Sequence, residues 1–293
     1  MPAGPARLPC ARSGRGGGAE DSPRPVGGYG PLLAYLARQV QDAGGRIQLS
    51  TVVETIRWQR GQVEIRCDHN RRYSAPQALV TVPLGVLQAE AGTLGYVAFV
   101  PEIPERRAAA QALGFGPVVK VLLEFEWPFW EQESKELHHA MPALGFLFSD
   151  AAVPTWWSQL PDPRALLTGW VAGPAAARLR ATPDEDVLTQ ALESLAYLFG
   201  TSTAWLRPQL VAHRVVNWGA DPFARGAYAY ATVGSAGARR VLSEPLADTV
   251  FFAGEGLYEG PAMGTVEAAL ASADAVARQL LGPADEALEE GKK

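Results

Sequence analysis

The sequence predicts a mixed α/β fold, and three patterns support this prediction. Apolar and polar residues alternate over 63–67, which is typical of a half-buried strand. The run 78–82 is apolar apart from Thr81 and predicts a buried strand. Residues 182–200 instead repeat apolar side chains at the spacing of a helix. Because strands and helices occupy separate stretches of the chain, we expect an α/β or α+β architecture.

The first half of the chain predicts a helix, then strands, then a second helix. Residues 1–25 are rich in Gly, Pro and Arg, and we expect them to be disordered. A helix follows with Pro31 in its first turn and Gly44 at its end. Strands are predicted over 46–82, and a short helix over about 104–113. In the next strand, the odd-numbered residues of 119–125 are apolar and Lys120 faces the other side.

The second half contains the clearest helix signal. Thr182 and Glu185 fit a capping box, Pro183 suits a first turn, and Gly200 ends the helix. Strands are predicted near 210–216 and 249–253. The last helix is predicted over 264–281, before a charged tail at 283–293.

Composition narrows the possible functions. The chain has 293 residues, of which 47% are hydrophobic and 19% charged, and this indicates a globular protein of one large or two modest domains. The net charge is −5 and is spread along the chain without the basic clustering of a nucleic-acid binder, which argues against nucleic-acid binding. Neither the cysteines nor the histidines show the spacing of metal ligands. The longest apolar run, 78–87, is too short to span a bilayer, so we expect no membrane contact and a cytoplasmic protein.

Residues 251–281 have the pattern of a ligand-binding segment. An apolar strand ends in Gly254-Glu255, a loop rich in Gly and Pro follows, and a helix starts near Gly264. A helix N-terminus offers unpaired N–H groups and partial positive charge to a ligand. The alternative is a strand–loop–helix unit that binds nothing, and this stretch alone leaves both interpretations open.

Five stretches, in this order, resemble the flavin-dependent amine oxidase family. They are "GGYGPL", "VTVPLGVL", "LGFGPVVKVLLEFEWPFW", "WGADPFARGAYAYATVG" and the segment that begins "FFAGEG". The family includes monoamine, polyamine and spermine oxidases and related histone demethylases. The resemblance covers about residues 26–281 and implies FAD as the cofactor and a small-molecule amine as the substrate.

The resemblance implies two catalytic residues. Lys120 matches the lysine that holds a water near the flavin. The alternative interpretation is that Lys120 is an ordinary strand residue whose ammonium reaches solvent. Tyr228 matches the aromatic residue that packs beside the substrate nitrogen, where a ring face favours an amine. The alternative interpretation of Tyr228 is an aromatic residue that packs in the core. Arg225, close to Tyr228, is a candidate partner for a substrate carboxylate.

The resemblance also implies six cofactor-binding residues. Glu255 corresponds to the acid near the dinucleotide, and Gly264, Thr265 and Val266 to the helix start beneath the flavin ring. Two further matches are Trp218, near the ring, and Val53, whose main chain meets the adenine. Trp218 is equally well interpreted as a core residue. Many relatives have an aromatic residue where Thr265 stands, so a small residue hints at a roomier substrate site.

Parts of the family pattern are missing or altered. The stretch "SGRGGGAEDS" contains glycines, but no strand precedes it and no helix follows, so it does not fit a dinucleotide-binding turn. The usual Gly-Glu-Ala-Thr reads "GEGL" here. We therefore expect an incomplete Rossmann-like FAD domain over 26–90 and 208–282, with a substrate-binding domain over 91–207. A partner chain is one source of the missing segment.

Two functions follow from this interpretation. The first is an FAD-dependent amine oxidase, in which hydride transfer from the C–N bond is followed by imine hydrolysis and release of peroxide. The alternative is a non-catalytic remnant, or a partner-dependent subunit, that does not bind FAD alone. The resemblance does not distinguish primary amines, polyamines and amino acids as substrates.

Overall fold

A computed structural model describes residues 27–137 and 140–281. The expected disordered segment 1–25 and charged tail 283–293 lie outside the described residues. The chain divides into two compact units, Met1–Thr51 and Val52–Lys293. In the first unit, helix α1 (Gly30–Asp42) has Pro31 in its first turn and ends just before Gly44, whose φ is +82°. The helix predicted at this position is therefore confirmed.

The second unit alternates short strands with helices. Its strands are β1 (Val53–Gln59), β2 (Gln62–Cys67), β3 (Arg72–Ala75), β4 (Ala78–Val80), β5 (Ala98–Val100), β6 (Gly114–Gly116), β7 (Val118–Phe125), β8 (Phe146–Phe148), β9 (Thr155–Trp157), β10 (Leu166–Ala172), β11 (Leu210–Asn217), β12 (Tyr228–Tyr230) and β13 (Val250–Phe252). Its helices are α2 (Leu84–Leu87), α3 (Pro104–Ala112), α4 (Gly173–Arg178), α5 (Asp184–Phe199), α6 (Thr203–Leu206), α7 (Ala238–Ser243) and α8 (Val266–Leu281). This mixture confirms the predicted α/β class.

The strands form sheets of different kinds. One sheet has the order β3-β2-β1-β5, with β1 antiparallel to β2 and parallel to β5. A second, antiparallel sheet has the order β11-β7-β10-β9-β8. Two strand pairs complete the set, the antiparallel β12-β6 and the parallel β13-β4. The site described below lies at the open face of the antiparallel sheet and around the two strand pairs.

Two hydrophobic clusters hold the second unit together. The first lies between the antiparallel sheet and α5, and includes Val121 and Leu195. The second joins the mixed sheet to α3, α7 and β13, and includes Phe99 and Phe252. Burial of this apolar surface is the main stabilising contribution. The domain boundaries expected from the sequence are not tested by these clusters and stay a prediction.

The structure corrects several local predictions. The capping box at Thr182 was wrong, because Pro183 is the N-cap of α5 and no side chain caps it. Glu185 pairs instead with Arg207. Gly200 does close the helix, in the left-handed conformation at φ +65°. The last helix begins at Val266 rather than at residue 264.

Candidate functional site

Lys120 lies on the open face of the antiparallel sheet beside two tryptophan rings. Strand β7 alternates, so Val119 and Val121 enter the core while Lys120 faces outward. Trp170 of β10 stands directly opposite Lys120 in the strand register. The Lys120 Nζ lies 5.3 Å from the Trp170 ring centroid and 6.0 Å from that of Trp157. These cation–π contacts hold the ammonium against the sheet.

Trp170 connects Lys120 to Tyr228. The Tyr228 ring stacks on Trp170 at a centroid distance of 6.3 Å and an interplanar angle of 20°. Tyr228 begins β12 and pairs with Gly116 of β6, and it is 38% exposed. The two residues predicted to be catalytic therefore belong to one cluster, with an indole between them.

Glu255 links β12 to the turn before α8. Its carboxylate accepts hydrogen bonds from the Ala229 main-chain N–H, at 3.1 Å to Oε1, and from the main chain of Gly264. Burial raises the pKa of the Glu255 carboxyl, and the two main-chain hydrogen bonds oppose that rise. The carboxylate thus fixes the strand that carries Tyr228 against the start of α8.

The backbone of the turn before α8 favours glycine at residue 264. Gly264 has φ +86°, and a Cβ there would lie 3.4 Å from the Ala229 oxygen and 3.6 Å from the Tyr228 Cβ. The Thr265 hydroxyl accepts from the Ala268 N–H at 3.2 Å, as an N-cap does, and donates to the Ala262 oxygen at 2.7 Å. Val266, the first helical residue, is exposed.

A cavity of about 310 Å³ lies next to this cluster. Trp218 and Glu255 line it, together with residues 81–84, Phe115 and Gly226. A larger cavity of about 460 Å³ opens between α5 and α6, but no predicted site residue lines it. The smaller cavity is therefore the one that belongs to the candidate site.

The predicted site residues fall into three groups. Trp218 and Glu255 line the cavity. Lys120 and Tyr228 meet at Trp170, and Gly264 packs against Tyr228. Val53 starts β1 opposite Cys67, and it is not among the residues that line the cavity. The roles assigned to these residues and to Thr265 and Val266 stay predictions.

The cavity lining fits the ring of a flavin better than its phosphates. The wall combines apolar side chains, one indole and several glycine or alanine main chains, which suits a planar ring system. Among the described residues, no lysine or arginine lines this cavity. The pyrophosphate of a dinucleotide needs such cations or a glycine-rich turn.

Part of this site was not predicted from the sequence. Trp157, Trp170 and Phe115 were not singled out, although adjacent tryptophans at 156–157 were a visible signal. Arg225, considered for a substrate carboxylate, donates instead to the Leu94 oxygen at 2.6 Å and the Thr93 Oγ1 at 2.7 Å. Its guanidinium anchors a loop, and the role with a substrate carboxylate stays a prediction.

The described residues contain neither a membrane-spanning helix nor a metal-ligand cluster. Over 27–137 and 140–281, no helix combines the length and apolar character needed to cross a bilayer. Within the same ranges, histidine, cysteine and carboxylate side chains form no cluster of three or more that could hold a metal ion.

Known proteins resemble this chain in sequence. Lysine-specific histone demethylase 2 of Homo sapiens is 30% identical over 234 residues, covering 78% of this chain and 26% of that protein. Protein FLOWERING LOCUS D of Arabidopsis thaliana is 32% identical over 237 residues, covering 78% and 28%. The chain thus spans about a quarter of the length of these curated relatives.

Solved structures share the fold. A putrescine oxidase from a redesign of cofactor binding superposes with a TM-score of 0.68 at 20% identity, covering 87% of this chain and 53% of that one. Wild-type putrescine oxidase bound to putrescine gives a TM-score of 0.63 at 21% identity, covering 86% and 53%. At these identities the likeness shows the fold alone.

The family model for flavin-containing amine oxidoreductases matches residues 6–281, which is nearly the whole chain. The match includes the lysine–tryptophan–tyrosine cluster, the adjacent cavity and the start of α8. Together with the sequence relatives, it identifies this chain as a member of the flavin-containing amine oxidoreductase family.

Proposed function

We propose that this chain is an FAD-dependent oxidoreductase that oxidises the C–N bond of a small-molecule amine. The observation that carries the proposal is the contact of Lys120 and Tyr228 with the same indole, Trp170, beside the cavity lined by Trp218 and Glu255. The cluster offers ring faces, one ammonium and an apolar cavity in a single place.

Each residue of the cluster has a distinct part in this proposal. The ring faces of Tyr228 and Trp170 orient the amine, because a cationic or polarised nitrogen is attracted to an aromatic face. The Lys120 Nζ donates a hydrogen bond to a water and holds it for hydrolysis of the imine. Apolar neighbours of the cavity exclude other water from the reacting carbon.

The cofactor in this proposal is FAD, with its ring in the cavity. When bound, the flavin would supply the redox chemistry: it would take a hydride from the carbon beside the amine nitrogen, and dioxygen would take up the electrons with two protons as hydrogen peroxide. Trp218 would pack on the ring, and the N-terminus of α8 beyond Gly264 would favour negative charge nearby. We further propose a cytoplasmic protein without a nucleic-acid partner, in line with its net charge of −5.

A second candidate is a subunit that binds FAD only together with a partner chain. The observation that favours it is the cavity lining, which contains no cation for the pyrophosphate among the described residues. A partner that contributes a glycine-rich turn would supply those donors.

The test is flavin retention followed by turnover. Purified chain is incubated with FAD, desalted and examined by visible absorption, and peroxide release is then measured with a panel of amines. We expect retained flavin, and a loss of turnover of about 100-fold in Lys120→Met, because the water near the reacting carbon is no longer positioned. Lys135→Met, which removes an exposed loop lysine, is the matched control and should leave both readouts unchanged.

The outcomes separate the two candidates. Flavin bands with amine-dependent peroxide support the first. A colourless chain that acquires flavin only when co-expressed with a separate strand–G-x-G-x-x-G–helix segment supports the second. A chain that retains no flavin under either condition contradicts both.

A further inference from the structure

The antiparallel sheet presents two chemically different faces. One face packs on α5 through Val121, Leu167 and Trp156. The strand register places every second residue on the other face, where Trp170 stands opposite Lys120 and Phe146 opposite Trp157. This second face carries large aromatic side chains that the core does not use.

Four of these rings and Tyr228 of β12 form a continuous aromatic row that starts at Tyr228. The row runs from Tyr228 to Trp170, Trp157, Phe146 and Phe148, with neighbouring centroids 6.3, 6.0, 5.8 and 6.2 Å apart. Its far end is open, because Phe146 is 54% and Phe148 71% exposed. A contiguous exposed apolar patch of this kind marks a binding surface.

The charges on this face do not suit a second cation. The Lys120 ammonium already lies against Trp157 and Trp170, in the middle of the row. Arg214 shares the face, since its register partner is Leu122 of β7. The carboxylate of Glu124 is also there, but its register partner is Leu166, at the opposite end of β10 from Trp170.

We infer that the aromatic row binds the tail of the substrate, and that the substrate is a monoamine with a long alkyl or aryl tail. This inference rests on the proposed function and names the substrate class for the same site. The nitrogen lies at Tyr228, and the tail extends along the row towards Phe148. Burial of the tail on the rings is favourable. A second ammonium on the row would be desolvated beside Lys120, and the carboxylate that the described strands place on this face, Glu124, lies away from Trp170. The row therefore disfavours diamines and lysine-rich peptides.

Isothermal titration calorimetry on the full chain tests the inference without requiring turnover. The probes are n-octylamine and 1,8-diaminooctane, which differ by one terminal ammonium, and n-propylamine, which is too short to reach far along the row. We expect octylamine to bind at least about tenfold more tightly than the diamine. Trp157→Ala removes the second ring beyond Tyr228, which the octyl chain reaches, so this variant should weaken octylamine binding about tenfold and leave propylamine binding unchanged.

Tyr197→Ala is the matched control, because Tyr197 is 66% exposed on α5, which packs on the opposite face of the sheet. This variant should bind all three amines as the native chain does. Equal or tighter binding of the diamine, absence of octylamine binding, or insensitivity to Trp157→Ala each overturns the inference. Peroxide release with a preference for diamines would retain the proposed function and overturn only the substrate class. Selective octylamine binding without flavin or turnover would support binding of the tail on the row and contradict the proposed function.

Discussion

Gly226 forms part of the cavity wall, and replacing it with alanine should reshape that wall. A Cβ at residue 226 would lie 2.6 Å from Cε1 of Phe115, closer still to Cδ1, and 3.2 Å from the Gly116 oxygen. Carbon atoms in favourable contact are about 3.5–4.0 Å apart. The Phe115 ring must therefore move by about 1 Å, and the cavity it lines changes with it.

The expected cost of Gly226→Ala is about 1–3 kcal/mol, the usual range for overpacking a buried site. Gly234→Ala is the matched control: Gly234 is exposed, and a Cβ there would meet nothing within 4 Å. Both substitutions reduce the entropy of the unfolded chain to a similar extent, so the difference between them isolates the clash with Phe115. Urea denaturation measures this difference, and absorption after incubation with FAD reports any loss of flavin retention.

A double-mutant cycle identifies the cause. Phe115→Leu removes the ring that the new methyl would meet, so it should recover part of the stability lost in Gly226→Ala, with a coupling energy of about 0.5–3 kcal/mol. Equal stability of Gly226→Ala and Gly234→Ala would refute the packing argument. A cycle with no coupling would show that the ring is not the obstacle.

Three further predictions concern single side chains. The pKa of Glu255 is raised in the folded state, so the protonated carboxyl contributes stability that is complete below its ordinary value of 4.5 and is lost as pH rises through the raised pKa. The neutral side chain of Glu255→Gln does not titrate. In urea unfolding at a series of pH values, this variant should therefore become more stable relative to the native chain over that interval. Thr265→Ala should lose the cap of α8 and about 1 kcal/mol in thermal or urea denaturation, whereas Thr265→Ser should keep most of it. Arg225→Met should lower unfolding free energy by roughly 1 kcal/mol through the lost loop hydrogen bonds. It should also change the turnover of amines with and without a carboxylate equally, and a selective loss for the carboxylate-bearing amines would contradict the loop-anchor role.

The sequence predicted those elements whose signals are local. Helix α5 and strand β7 were anticipated because the spacing of their apolar residues reports directly which face is buried. The start of α5 was missed by two residues, because Pro183 with an extended backbone takes the N-cap position and leaves Thr182 outside the helix. The contact of Lys120 with Trp170 was not predicted. It depends on the pairing of β7 with β10, whose partners are 50 residues apart in the sequence, and no local pattern encodes that register.

The register of β7 couples the stability of the sheet to the composition of the candidate site. Val119, Val121 and Leu123 are fully buried in the core because they occupy alternate positions of the strand. The same alternation puts Lys120 on the open face, opposite Trp170. A slip of one residue would expose the core set and turn Lys120 inward, where an unpaired ammonium is strongly unfavourable. The hydrophobic burial that fixes the sheet therefore also keeps Lys120 on the face that carries the aromatic row, where its contacts with Trp170 and Trp157 hold the ammonium.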